Sequence, residues 1–125
     1  MTDLSLDAGA LIALERGDPK VRGHLRRAFE RGAQIHVVPE VVAQSWRGGP
    51  RQAVVAQLLA ADEVEIPVYD GATARAVGHL CGVSGHSDVV DVHVVLHARL
   101  HRQVVLTSDP DDLRAIDPDV VTIAV

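Results

Sequence analysis

Four acidic side chains lie at distant points of the chain but in one kind of setting, where a predicted strand ends or a predicted helix begins: Asp7, Glu40, Asp91 and Asp109. In an open parallel sheet the carboxyl ends of all strands point to one edge, where ligands bind. Acids gathered there repel one another, because two unit charges about 4 Å apart cost roughly 4 kcal/mol at an effective dielectric near 20. Protons or metal ions must neutralise such a group. The pattern therefore indicates a divalent-metal site.

Hard cations such as Mg²⁺ or Mn²⁺ prefer carboxylate oxygens and water, so four carboxylates suit one or two ions. Such ions can activate a water molecule and stabilise the leaving oxygen when a phosphodiester bond is cleaved. Each acid alone has a simpler explanation. Asp7 and Asp109 could cap a helix or turn, and Glu40 could be a favourable first-turn acid. Their coincidence at the strand ends of one sheet favours the metal site.

Polar neighbours of these acids extend the candidate site. Asp88 lies three residues before Asp91 on the same helical face, so it is either an auxiliary metal ligand or the cap of that helix. Thr107 and Ser108 place hydroxyls beside Asp109. These hydroxyls could orient a carboxylate or a metal-bound water, or they could make ordinary hydrogen bonds at the end of a strand.

Two arginines flank a flexible turn downstream of Glu40. Arg47 and Arg51 surround the Gly48-Gly49-Pro50 break. They could contact RNA phosphates, or they could be solvated charges at helix ends. The sequence favours neither reading.

A histidine stripe at positions 93, 97 and 101 has the spacing of one helical face. A helical wheel places it nearly opposite Asp88 and Asp91. We therefore interpret it as a polar face or a subunit contact and not as a metal site.

Strands and helices must alternate to bring these residues together. Apolar runs and turn signals predict strands at 4–6, 35–38, 64–68, 103–107 and 120–124. Helices are predicted at 10–15, 19–31, 40–46, 51–61, 72–81 and 88–100, with a short one after Pro110. This alternation indicates a parallel, doubly wound α/β sheet of about five strands, in a single domain over 1–125.

Composition sets the class of protein. Hydrophobic residues make up 47% of the chain, which predicts a folded domain. The single cysteine, Cys81, excludes an internal disulfide framework and a cysteine zinc cage. Without an apolar stretch of membrane-spanning length, we expect a cytoplasmic protein without membrane contact. Setting aside the five acids of the proposed site raises the net charge from −5 to zero, so acidity does not exclude a nucleic-acid substrate.

Four stretches of the chain resemble PIN-domain ribonucleases, in particular the VapC-type toxins of toxin–antitoxin pairs. They are LDAGALIAL at 6–14, PEVV at 39–42, SDVVD at 87–91 and VLTSDPDDL at 105–113. The eighteen residues from Asp91 to Asp109 match the usual spacing of the family, which selects Asp91 over Asp88 as the third acid. The resemblance covers the whole chain.

The resemblance implies a PIN-like three-layer α/β/α fold and Mg²⁺- or Mn²⁺-dependent cleavage of single-stranded or structured RNA. Asp7, Asp91 and Asp109 would bind metal, and Glu40 would help position metal or water. It also implies a homodimer inhibited by a small antitoxin whose tail enters the acidic cleft. One departure stands out: many members have Thr or Ser directly after the first acid, whereas Ala8-Gly9 follows Asp7 here.

Other acidic α/β proteins fit the sequence less well. A receiver domain needs adjacent acids after the first strand and a lysine near the last, but the only lysine is Lys20. An Asp-x-Asp phosphatase needs an acid at position 9, which is glycine. The alternative that remains is a PIN-like binding or regulatory module that does not cleave RNA.

Overall fold

The strands form one parallel sheet in a computed structural model that describes residues 2–125. Five strands are arranged in the order β3-β2-β1-β4-β5. They are β1 (Leu4–Leu6), β2 (Ile35–His36), β3 (Val64–Glu65), β4 (Val104–Thr107) and β5 (Thr122–Ala124). Because the strand order reverses direction at the central β1, the sheet is doubly wound, as the sequence predicts.

Seven α-helices of the described chain pack on the two faces of this sheet. They are α1 (Ala8–Glu15), α2 (Pro19–Glu30), α3 (Pro39–Ser45), α4 (Ala53–Ala60), α5 (Gly71–Ser84), α6 (Val89–His101) and α7 (Pro110–Ile116). A short 3-10 helix at Pro50–Gln52 precedes α4. The predicted three-layer α/β/α architecture is confirmed.

Three strands are at least two residues shorter than the sequence suggests, and one of them is β5, predicted at 120–124 and observed at Thr122–Ala124. The predicted strand at 35–38 pairs only at Ile35–His36, although Val37 and Val38 are buried. The predicted strand at 64–68 pairs only at Val64–Glu65, and Val68 is 82% exposed. Apolar composition alone could not reveal where pairing stops, because buried extended chain and paired strand have the same residue preferences. Helix α5 is longer than its predicted span of 72–81.

The central strand sets the register of the whole sheet. Strand β1 pairs with β2 on one side and with β4 on the other, and Leu6 lies opposite Leu106. Both leucines are almost completely buried, as a strand covered by helices on both faces requires. The residues that directly follow them, Asp7 and Thr107, therefore emerge side by side at the carboxyl edge.

The core is aliphatic and lies between the sheet and helices such as α1 and α6. Leu11 of α1, Val92 of α6 and Val105 of β4 are at most 1% exposed. No helix within residues 2–125 has the length and apolar character needed to cross a membrane.

Candidate active site

Asp7 combines a structural role with an electrostatic cost. It caps α1, where its Oδ1 accepts a hydrogen bond of 2.8 Å from the Ala10 amide. The residue is 6% exposed. Burial raises the pKa of Asp7, and the charge of Asp109 adds to this, while hydrogen bonds from Thr107 and the backbone oppose it. The capping role considered for Asp7 is real, and it fixes the carboxylate at the sheet edge.

Thr107 links the first and last of the predicted acids. Its side chain acts to lower the pKa of the Asp7 carboxyl, and its Oγ1 accepts a hydrogen bond of 2.9 Å from the Asp109 amide. Thr107 is fully buried, so water does not compete for this bond. A single buried hydroxyl thus lies between the end of β4 and the end of β1.

Asp91 lies in the first turn of α6 and has the most clearly raised pKa of the site acids. Burial raises its pKa to about 6, with further contributions from the charges of Asp88 and Asp7 and an opposing one from His86. Asp88 caps α6: its Oδ1 accepts bonds of 3.0 Å from the Val90 amide and 3.2 Å from the Asp91 amide. Asp88 therefore acts as a cap while its charge also reaches Asp91.

The acidic group contains a member that the sequence reading did not single out. Asp112, in the first turn of α7, lies close enough to Asp109 that the Asp109 side chain and its charge raise the pKa of Asp112. The spacing of three residues on one helix was a usable signal. His86 was also missed, although its charge opposes the raised pKa values of Asp91 and Asp112.

Gly9 leaves room for a hydroxyl from another strand end. A Cβ added to Gly9 would lie 2.0 Å from Ser108 Oγ and 3.4 Å from Asp7 Oδ1. The Ser108 side chain therefore fills the space that a side chain at position 9 would need. Although Ala8 supplies no hydroxyl directly after Asp7, the chain after β4 brings the Ser108 hydroxyl to the same edge.

Glu40 pairs with a histidine of α6. His93 Nδ1 donates a hydrogen bond of 2.5 Å to Glu40 Oε2, because an ionised carboxylate can only accept. The other carboxylate oxygen, Oε1, is buried and has no hydrogen-bond partner among residues 2–125. The main charges that raise the pKa values of Asp7 and Asp91 are those of other aspartates.

The histidine stripe is mostly internal, so the expectation of a solvent-facing polar face is wrong for its first two members. His93 and His97 are 2% and 6% exposed. His97 Nε2 lies 2.8 Å from Nδ1 of His36, and His101 packs its ring 4.2 Å from that of His97. The wheel correctly placed the stripe away from Asp91, but it could not show that β2 ends in a histidine facing it.

The two arginines differ in what they contact. Arg47 donates to the carbonyl oxygens of Ala43 and Trp46 at 3.1 and 2.7 Å, so it closes the end of α3. Arg51 is exposed in the 3-10 helix. The helix-end reading therefore describes Arg47, and Arg51 keeps a solvent-facing guanidinium.

The acids form an open edge and not a closed cage. Within residues 2–125, no three side chains of His, Cys, Asp or Glu converge as a metal cage would require. The aspartates instead come from the ends of β1 and β4 and from the first turns of α6 and α7. They affect one another's pKa values, as Asp109 does those of Asp7 and Asp112.

A family model described as PIN domain matches residues 4–117. The chain belongs to the PIN-domain family. Its fold is similar to VapBC2 from Rickettsia felis, solved bound to a DNA fragment from its promoter, with a TM-score of 0.71 and 15% identity over 98% of each chain. It is also similar to PAE2754 from Pyrobaculum aerophilum, with a TM-score of 0.63 and 14% identity over 97% of this chain and 89% of that one.

FitAcB from Neisseria gonorrhoeae gives a TM-score of 0.60 and 17% identity over 96% of each chain. A search of curated proteins finds no match. At these identities the solved structures establish the PIN fold alone, so the site must be judged from the residues of this chain.

Acidification should destabilise this PIN domain through His97. Burial and the neighbouring histidines lower the pKa of His97 to about 4, whereas an unfolded histidine titrates near 6.5. The unfolded state therefore takes up the proton first, so stability that is complete above about pH 6.5 is lost as the pH falls toward 4. Between pH 7 and pH 5, the free energy of unfolding measured with urea should fall less for His97→Gln than for the wild type. His79→Gln, at an exposed position on α5, is the control; equal losses in both variants would contradict the assignment.

Removing the charge of Asp91 should stabilise the chain when divalent ions are absent. Its charge is buried and faces Asp88 and Asp7, which together raise its pKa to about 6. We expect Asp91→Asn to raise the melting temperature at pH 7.5 by a few degrees in EDTA. The advantage should shrink as the pH falls through 6, because the wild-type carboxyl is then protonated. Asp62→Asn, at an exposed position, should change neither the melting temperature nor its dependence on pH. A lower melting temperature for Asp91→Asn than for the wild type would show that the ionised carboxylate does not destabilise the folded state.

Proposed function

We propose that this PIN domain is a Mg²⁺- or Mn²⁺-dependent endoribonuclease and the toxin of a toxin–antitoxin pair. PIN-domain proteins are generally nucleases, which supports a hydrolase. The observation that carries the proposal is the electrostatic coupling of acids from separate elements. Asp91 on α6 has its pKa raised to about 6 in part by Asp7 at the end of β1. Such mutual repulsion is what a bound cation would relieve.

The residues present fit a hard divalent ion. Their donors are carboxylate oxygens, and their open arrangement suits Mg²⁺, which keeps several waters and takes one or two protein carboxylates together with substrate phosphates. Because no three acids within residues 2–125 converge on one point, Asp7, Asp91 and Asp109 would hold the ion partly through its bound waters, with Asp88 as an auxiliary acid. When bound, it would supply Lewis-acid polarisation of a phosphoryl oxygen and a more acidic water.

The chain's own hydrogen bonds supply the positioning. The Ala10 amide and Thr107 hydroxyl fix the Asp7 carboxylate before any ligand arrives. Ser108 lies beside the same carboxylate. This preorganisation lowers the cost of ordering the acids during the reaction.

Glu40 stays in the proposed catalytic set in a narrower role. His93 holds Oε2, and the unpartnered Oε1 is an acceptor that a water molecule could satisfy. Glu40 would therefore position water and not hold metal.

RNA phosphates would need cations near this edge. Arg51 has an exposed side chain and follows the Gly-Gly turn, so it suits a phosphate contact. Arg47, which also closes α3, would contribute through its remaining donors. Neutralising the site acids leaves a chain without net charge, which no longer repels a polyanion as a whole.

The purified chain, free of any antitoxin, should cleave RNA in Mg²⁺ or Mn²⁺ and stop in EDTA. Asp7→Asn and Asp91→Asn should each lower the rate by roughly a hundredfold or more, because each removes a proposed metal ligand. The cleavage of a fluorescently labelled single-stranded RNA measures this, and Asp62→Asn should retain the wild-type rate. Unchanged cleavage in both site variants would place the chemistry elsewhere.

A parallel measurement separates metal binding from cleavage. Mg²⁺ should raise the melting temperature of the wild type, because it binds only the folded state, and should raise that of Asp91→Asn less. If Mg²⁺ stabilises the chain and no RNA is cut, the chain is a PIN-like binding module.

A groove between helices suits the proposed antitoxin. Its volume is about 500 Å³, and α1, α2 and α4 line it with apolar side chains that include Leu14, Phe29 and Val54. Arg22, Arg26 and Glu30 also line it, so its charged side chains are net positive. Apolar side chains beside a net positive charge fit an amphipathic helix that carries acidic residues. We therefore propose that a short antitoxin segment binds here. Homodimer formation stays a prediction of the family resemblance, and a cytoplasmic location stays a prediction of the sequence composition.

Reversing one positive charge of the groove should weaken the binding of this partner. Arg26 is exposed, so Arg26→Glu should fold normally while repelling an acidic helix. We expect its affinity for the product of an adjacent small reading frame to fall roughly tenfold, and by less at high salt. Calorimetry measures this. Arg75→Glu, on the exposed face of α5, is the matched control. Equal affinities for the two variants would remove the groove from the interface.

A further inference from the structure

A second cleft lies at the edge of the sheet opposite the aspartates. It is formed where β1, β4 and β5 begin and α6 ends, whereas the acids lie where β1 and β4 end. Its volume is about 720 Å³, which is within the usual range for small-molecule sites. Its polar lining consists of Thr2, Arg99, Arg102, Gln103, Asp117 and Asp119. None of these residues belongs to the proposed nuclease site.

One of these side chains carries a buried donor without an acceptor. Gln103 is 4% exposed, and its Oε1 accepts a hydrogen bond of 2.6 Å from Ser5 Oγ. Its Nε2 is buried and has no partner among residues 2–125. Native proteins pair almost all buried polar groups with protein, water or ligand. Ser5 engages the amide oxygen, and Gln103 lines the cleft, so a water or a ligand group that enters the cleft is the candidate acceptor for Nε2.

The charges around Gln103 indicate what kind of acceptor. Arg99 is partly compensated by Asp117, with 3.5 Å between NH1 and Oδ2. Arg102 ends α6 with an exposed side chain, and no carboxylate within residues 2–125 forms an ion pair with it. A guanidinium of this kind binds phosphate through parallel hydrogen bonds. The cleft therefore presents a free cation beside a buried amide donor.

The acids of the cleft favour a ligand that also donates hydrogen bonds. Asp117 and Asp119 line the cleft with the arginines. An inorganic phosphate ion would have no donor for them near neutral pH beyond a single hydroxyl and would leave most of the 720 Å³ unfilled. Ribose hydroxyls or a base amino group would supply such donors.

We propose that this cleft binds a phosphate monoester of nucleotide size, such as a ribonucleoside monophosphate. Its phosphate contacts Arg102 and the Gln103 amide, directly or through one bridging water. Its sugar or base donates to Asp117 or Asp119. The site depends on neither metal nor nuclease activity, so it stands or falls separately from the proposed function.

The test titrates AMP into the full chain in EDTA and follows binding by calorimetry and by backbone amide chemical shifts. We expect saturable one-to-one binding, with shifts at residues 99–104 and 117–121. Arg102→Met should weaken AMP binding tenfold or more. Arg75→Met, at an exposed position outside the cleft, should leave it unchanged, and Asp91→Asn should bind AMP as the wild type does.

Gln103→Met keeps the length of the side chain and removes the amide, so it should also weaken AMP binding tenfold. If that variant does not fold, the exposed Arg102→Met decides the question. Inorganic phosphate and adenosine are the separate probes, and each should bind at least tenfold more weakly than AMP. An equal affinity for adenosine, an equal affinity for phosphate, no saturable AMP binding, or binding unchanged in Arg102→Met would each overturn the proposal.

Discussion

The pairing of β1 with β4 is the constraint on which the site depends. It sets Leu6 opposite Leu106 in a buried sheet, so the next residues, Asp7 and Thr107, must emerge together. A shift of one residue would turn each leucine to the opposite face of the sheet and separate the Thr107 hydroxyl from the Asp7 carboxylate. The apolar core and the acidic edge are thus fixed by one register, which explains how a tightly packed interior can hold repelling charges in place.

Helix α6 carries two kinds of chemistry on its two sides. One side presents Asp91 to the acidic edge, and the other presents His93 and His97 to buried partners on α3 and β2. Positions two apart on a helix point in nearly opposite directions, so the helix can serve both. Burial and the neighbouring histidines lower the pKa of His97 to about 4, so its ring is neutral at pH 7. Asp91 is only partly buried and can meet a cation. Buried histidine contacts therefore hold one side of the helix, while the other side presents a carboxylate.

The sequence predicts most of the fold because each apolar run is bounded by turn residues. It also predicts that Asp7 and Asp109 come together, because both follow strands of one parallel sheet. It could not predict that Glu40 pairs with His93 or that His36 faces His97, since these contacts depend on how α3 and β2 pack against α6. The periodicity of apolar residues describes one helix or strand at a time. Contacts between elements depend on how those elements pack, which periodicity does not reveal.

The close approach of Ser108 to Gly9 couples two positions that are far apart in the sequence. A side chain at position 9 would meet the Ser108 hydroxyl, so the sizes of the two residues constrain each other. A larger residue at position 9 would force the Ser108 hydroxyl to turn away from its present place near the Asp7 carboxylate. The size of residue 9 therefore sets whether a hydroxyl from the chain after β4 can reach the first acid.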